Sequence, residues 1–265
     1  MHLAKQLEDQ ELCARDGAIG HVKDFYFDDQ HWHVRYVVVD TGLWLTGRNV
    51  LISSAALSRQ PNDAQRLSVD LTKEQVRNSP DIDTAKPVSR QHEEQLHDYY
   101  AWPYYWNGPY MGGGVSPPIG SPAAPTEAAA HTSRAPLEGP VGETLGHGAA
   151  WRGRGDDPHL RSVSAVRGYH IDASNGAIGH VEDFVLDDAT WAVRYLLIKT
   201  RNWLPGKKVI VSPRQIRKVS WLDSSVSINL TRETLKGAPE FDASRPITAD
   251  YTDRLEAHYR DMQRT

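Results

Sequence analysis

The sequence predicts a mainly β protein with short helices: two small β-barrels, each followed by a C-terminal helix and joined by a long flexible linker. Three observations lead there. A motif recurs at a fixed distance, short apolar runs alternate with turn residues, and a Gly/Pro/Ala-rich stretch separates the two copies. Gly17-Ala18-Ile19-Gly20-His21-Val22 returns as Gly176-Ala177-Ile178-Gly179-His180-Val181, an offset of 159. The same offset aligns Asp24-Phe25 with Asp183-Phe184, Trp32 with Trp191, Val34-Arg35-Tyr36 with Val193-Arg194-Tyr195, Trp44-Leu45 with Trp203-Leu204, and Tyr100 with Tyr259. A period this long means duplication of a whole domain, because solenoid repeats run about 20–50 residues. The boundaries read as 1–102 for the first copy, 103–159 for the linker and 160–265 for the second copy.

Within the second copy, Val166–Ile171 reads as an opening strand and Asn175-Gly176 as a tight hairpin turn, since both residues tolerate positive φ. Gly179–Leu186 is the next strand, and Asp187-Asp188 turns the chain. Trp191, Val193, Tyr195 and Leu197 then alternate with Ala192, Arg194, Leu196 and Ile198, the period of a strand whose end is buried on both faces. Lys208–Ser212 and Ser225–Leu230 add two short strands, and turns at this spacing suit a small barrel or sandwich. Helical signals close each copy. Thr72 and Gln75 form a capping-box pattern, and the helix they open stops before Ser79-Pro80. Longer helices fit Ser89–Ala101 and Thr248–Gln263, with Leu255, His258, Tyr259 and Met262 on one face.

Between the copies, Met111-Gly112-Gly113-Gly114-Val115-Ser116-Pro117-Pro118 and its surroundings lack apolar periodicity. Such a stretch buries too little surface to offset its ordering entropy, so it is expected to be a disordered linker. Its reach as a coil would be roughly 40 Å. Six aromatics in eight residues, Tyr99 to Trp106, straddle the start of the linker. Tyr104, Tyr105 and Trp106 are candidates for docking, either across the copies or on a partner.

These runs resemble the PRC-barrel family. The residues that carry the likeness are Asn175 to Phe184, Trp191 to Ile198, and the turn Asn202-Trp203-Leu204-Pro205-Gly206-Lys207-Lys208-Val209, with Gly42-Leu43-Trp44-Leu45-Thr46-Gly47-Arg48-Asn49-Val50 as its twin. The family includes the cytoplasmic domain of the photosynthetic reaction centre H subunit and the C-terminal domain of a ribosome-maturation factor. The resemblance implies a non-catalytic scaffold that docks on a protein partner, and the duplication adds the option of the two barrels packing as a pseudo-dimer, since two similar surfaces can pair about a two-fold axis. The resemblance also implies two alternatives: an adaptor in ribosome assembly that binds a ribosomal protein, and a membrane-peripheral accessory of an electron-transfer complex. An enzyme of unrecognised type ranks below these.

Trp44 and Trp203 are the leading candidates for partner binding, because each sits in a loop before a glycine with a basic residue nearby, Arg48 or Lys207. Aromatic and arginine anchors dominate interface energetics. The competing explanation is a Trp folded back as a lid, since Trp is usually well buried. His21 and His180 follow Ile-Gly at equivalent points and are candidate polar contacts. A metal site needs three or four convergent ligands, and the spacing supplies none. His31 and His33 face the same way, yet Thr190 and Ala192 replace them in the second copy. Asp28-Asp29 and Asp187-Asp188 are turn formers rather than an acid–base pair, which would need carboxylates across a cleft with separated pKa values.

No phosphate loop, nucleophile elbow or Cys-x-x-Cys pair is present in the sequence. Neither a catalytic residue nor a cofactor nor a metal is therefore expected. Cys13 is the one cysteine, so no intrachain disulfide forms. The formal net charge is −4 with a pI of about 6.3, and strong non-specific nucleic-acid binding is not expected. The N-terminus turns acidic before an apolar run develops, and the longest aliphatic runs are too short to span a membrane. A cytoplasmic location is the expectation.

Overall fold

The computed structural model describes residues 1–60, 63–80, 90–105, 160–200 and 207–262. The expected linker, Pro103, Tyr104 and Tyr105 apart, lies outside the described residues, as do Trp106 and Trp203. Residues 1–102 and 151–265 belong to one compact unit. Its first half runs β1 (His2–Leu3), α1 (Ala4–Leu7), β2 (Glu11–Ala14), β3 (Gly17–Asp28), β4 (His33–Asp40), β5 (Asn49–Ser53), β6 (Leu57–Gln60), β7 (Asp63–Val69), α2 (Lys73–Arg77) and α3 (Arg90–Tyr100). Its second half runs β8 (Leu160–Ser162), α4 (Val163–Val166), β9 (His170–Ala173), β10 (Gly176–Leu186), β11 (Val193–Thr200), β12 (Lys208–Val211), β13 (Ile216–Ser220), β14 (Ser225–Ile228), α5 (Arg232–Gly237) and α6 (Ala249–Met262).

Two sheets result, with strand orders β5-β4-β3-β2-β7-β6 and β12-β11-β10-β9-β14-β13. Each is an antiparallel meander of four strands joined to a hairpin through one parallel pair, β2 with β7 and β9 with β14. The repeated Ile-Gly has a steric reason. A Cβ on Gly20 would lie 2.0 Å from the Asp40 carbonyl oxygen, and one on Gly179 would lie 2.1 Å from that of Lys199. Only glycine lets β3 and β10 approach their neighbours this closely.

β1 and β8 belong to neither meander. β1 pairs antiparallel with β10 of the other half, placing His2 against Leu186 and Leu3 against Val185. β8 pairs with β3, placing Arg161 against Phe27 and Ser162 against Tyr26. Adding 159 to one register gives the other, so the halves exchange edge strands about an approximate two-fold axis. The short helices that follow bury Ala4 and Leu7 from one half and Val163 and Val166 from the other. Full burial of a Val or Leu side chain contributes about 1.5–3 kcal/mol, so this exchange carries a substantial share of the fold.

The halves also meet between β4 and β11, where Val34 N–H donates to the Trp191 carbonyl at 2.9 Å and Val193 N–H donates to the Trp32 carbonyl at 2.8 Å. Trp32 and Trp191 hold φ of 55° and 59°. A bulky residue rarely adopts that left-handed backbone. Here it accompanies carbonyls turned across to the opposite half. Phe27 stacks on Trp32 and meets Phe184 at 5.1 Å between ring centroids, and Phe25 meets Trp191 at 6.2 Å. Most of the buried apolar residues described form one cluster drawn from both sheets.

The structure departs from the expected opening strand at Val166–Ile171. Val163–Val166 is a helical turn capped by Ser162, whose hydroxyl accepts from Ala165 N–H, and the strand begins only at His170. β8, just before this turn, pairs with β3 of the other sheet. The two longer helices lie where the three-four spacing puts them. On α3, His97 Nε2 lies 2.8 Å from Tyr36 Oη, and on α6 Tyr259 Oη donates to the Ile210 carbonyl at 2.8 Å.

Candidate functional site

The loop Gly42–Leu45 between β4 and β5 is a single 3-10 turn fastened at several points. Asp40 carboxylate accepts from Gly42 N–H at 2.9 Å, and Gly47 N–H closes back on the Gly42 carbonyl at 2.7 Å. Thr46 and Gly47 follow with φ of 55° and 75°, and the left-handed step at Gly47 suits a residue without Cβ. Trp44 turns inward: its indole N–H donates to the Ile19 carbonyl, and the ring packs on the core. Lys73 Nζ lies 4.7 Å from the ring centroid and the Arg77 guanidinium 5.8 Å, within cation–π range. Leu43, one residue earlier, is 98% exposed.

The sequence pattern does not single out Leu43. Leu43, Trp44 and Leu45 stand between two glycines, and residue type alone does not say which faces solvent. The second half carries Asn202 at that position, so the repeat gives no help. A second exposed apolar spot, Trp221 and Leu222, lies between β13 and β14, with Trp221 under the Arg161 guanidinium at 4.7 Å.

Arg48 and Lys207 face helix ends. Arg48 donates to the carbonyls of Arg77, Ser79 and Pro80 at 3.1, 2.6 and 2.7 Å. Lys207 Nζ donates to those of Lys236 and Ala238 at 2.7 and 2.8 Å. Cations at the C-terminal carbonyls of α2 and α5 satisfy groups the helix leaves unpaired. His21 is exposed on β3 and lines an open groove of about 540 Å³ with Glu8, Asp9, Lys23, Asp40 and Gly42. His180 is half-buried on β10, and Tyr104 and Tyr105 are half-buried as well.

The paired aspartates act as turn locks. Asp28 Oδ1 accepts from Gln30 and His31 N–H, while Oδ2 binds Arg35 at 2.9 Å. Asp187 repeats this with Ala189, Thr190 and Arg194. Burial is the largest influence on Asp28 and would raise its pKa, but Arg35, His31 and the turn N–H together hold it below the ordinary value. Among the described residues no group of three or more His, Cys, Asp or Glu is arranged to hold a metal ion. No helix among them is long and apolar enough to cross a membrane.

The meander, the parallel closure and the glycine contact together define the fold of the first half. Residues 1–76 match the PRC-barrel domain. The match ends within α2, so this PRC-barrel domain comprises β1 to α2 with its Trp44 loop and His21. The second sheet shares its strand order but is not covered by that match. No curated protein matches the chain. PRC-barrel domains are typically non-catalytic.

Proposed function

We propose that the protein is a non-catalytic interaction scaffold, built from a PRC-barrel domain fused to a diverged second copy, and that a protein partner docks on the Leu43–Trp44 loop. One observation carries this reading: a fully exposed leucine on a turn whose backbone is fastened on every side. Presenting an apolar side chain from an ordered loop lowers the entropy cost of docking. Trp44 then acts as the brace beneath Leu43, and Lys73 and Arg77 flank it with positive charge. The strand correspondence and the 159-residue offset support duplication. The non-catalytic reading is supported by the character of PRC-barrel domains and by the engagement of Asp28 and Asp187 in their own turns.

The test is affinity capture with full-length protein from its native extract, followed by binding of the purified partner. Leu43→Glu should lower affinity about 10- to 100-fold, the range of a central apolar contact, with the thermal midpoint unchanged. Trp44→Ala should weaken binding and also lower the midpoint. Equal affinity for wild type and Leu43→Glu would remove the loop from the interface.

A further inference from the structure

Glu8 and Arg167 are separated by 159, so they occupy the same position in the two halves. They also touch. Arg167 Nη1 donates to Glu8 Oε2 at 3.0 Å, and Nη2 lies 2.6 Å from Oε1. Equivalent residues that meet must lie on the approximate two-fold axis. Arg167 also binds Asp183 Oδ1 at 3.0–3.1 Å. All three are largely buried, Asp183 most of all at 2% side-chain exposure.

Asp183 has its own counterpart in Asp24, buried on β3. Asp24 uses different donors. Its carboxylate accepts from the hydroxyls of Ser162 and Ser164 at 2.5 and 2.7 Å and from Ser164 N–H at 3.0 Å, all supplied by the other half. The residues equivalent to these serines are Leu3 and Lys5. From that position Lys5 gives Asp183 a backbone N–H at 3.3 Å, and its side chain is in solvent.

We infer that the inter-half face is a heterotypic recognition surface: it fits a second half, from this chain or by exchange with another copy, and rejects another first half. Two first halves paired in this geometry would set Glu8 against Glu8. Each Asp24 would also lose both serine hydroxyls. Four carboxylates would then be buried without an arginine among them, and a buried charge without its partner is strongly unfavourable. Two second halves would set Arg167 against Arg167, but each guanidinium keeps the Asp183 carboxylate of its own half, so the charge there stays balanced. The exclusion is therefore one-sided: unpaired buried charge disfavours the wrong pairing more than any contact favours the right one.

The test uses the full chain with a specific protease site placed between residues 106 and 159. The cut protein is separated in urea, returned to buffer, and weighed by native mass spectrometry. The expected spectrum contains the mixed pair and, at higher concentration, paired second halves, but no paired first halves. First-half pairs at the level of random assortment would overturn the inference. So would failure of the cut protein to pair at all while the uncut chain refolds.

Two variants locate the cause. Glu8→Arg gives the first half the arginine–aspartate arrangement of the second, so first-half pairs should appear; their continued absence would show that charge is not what excludes them. Arg167→Glu leaves four carboxylates in the mixed pair, whose signal should fall more than about 100-fold. An unchanged signal, with the uncut variant folded by circular dichroism, would also overturn the inference.

Discussion

Asp24 and Asp183, which stand just after the bulge within β3 and β10, occupy matching positions in the two sheets yet are satisfied in different ways. Asp24 is held by two serine hydroxyls and a backbone N–H from the other half. Asp183 is held by an arginine of its own half and a backbone N–H of the other. Burial pushes the Asp183 carboxyl above its ordinary pKa, and Arg167 and the backbone N–H groups of Phe184 and Lys5 only partly offset this. The two sheets share their strand order, while the groups that satisfy the two aspartates differ. An interface between identical halves would have to place one donor set on both sides; two halves in one chain need not.

The strongest test of that comparison is whether the halves stand or fall together. Gly20→Ala and Gly179→Ala each place a Cβ about 2 Å from a facing carbonyl oxygen. Either should lower stability by about 3–4 kcal/mol, at the severe end of single substitutions. Because β1 and β8 are exchanged and the apolar cluster is shared, each variant should show one cooperative transition by calorimetry. Two separated transitions, one of them at the wild-type temperature, would show that the halves unfold independently.

A smaller contrast lies at the helix caps. Thr72 Oγ1 accepts from Gln75 N–H at 3.2 Å while Gln75 Oε1 accepts from Thr72 N–H at 2.8 Å. Thr231 accepts from Thr234 N–H at 3.1 Å, with Thr234 rather than a glutamine three residues on. Thr72→Ala and Thr231→Ala should each cost about 1 kcal/mol by urea denaturation. A further few tenths should be lost with Gln75→Ala in the first half alone. Equal sensitivity of Thr234→Ala would mean that its hydroxyl, 2.9 Å from that of Thr231, does the same work.

Much of this fold is legible in the sequence, because the strands and helices are set by local rules. The meander follows period-two apolar alternation, the Asn175-Gly176 and Asp16-Gly17 turns follow glycine φ, and α2 follows its capping box. β1 and β8 are not legible. Two or three residues carry no periodicity, and their partners lie in the other half. The Glu8–Arg167 contact is equally hidden, since a repeat aligns equivalent residues without showing that they touch. The Trp44 loop is half legible: its place follows from the glycines, but the inward turn of Trp44 depends on the Ile19 carbonyl across the sheet.

The smallest expected effect lies where β4 meets the second half. His33 and Ala192 are equivalent positions and form an isolated bridge across the halves. Burial pushes the His33 imidazole below its ordinary value of 6.5, and Arg35 and then Arg194 add to this, against a backbone hydrogen bond at Thr190 and the Asp28 carboxylate. A histidine held neutral in the folded state takes its proton first in the unfolded state. As pH falls below 6.5 the unfolded chain gains that proton and the fold loses stability; above 6.5 neither state is protonated and the effect vanishes. His33→Ala copies the residue the second half already carries and removes the linkage. The difference between variant and wild-type urea midpoints should therefore shift toward the variant between about pH 7.5 and 5.5. Parallel midpoints across that range would show that His33 titrates alike in both states, and that this contact, unlike the one at Glu8 and Arg167, tolerates charge.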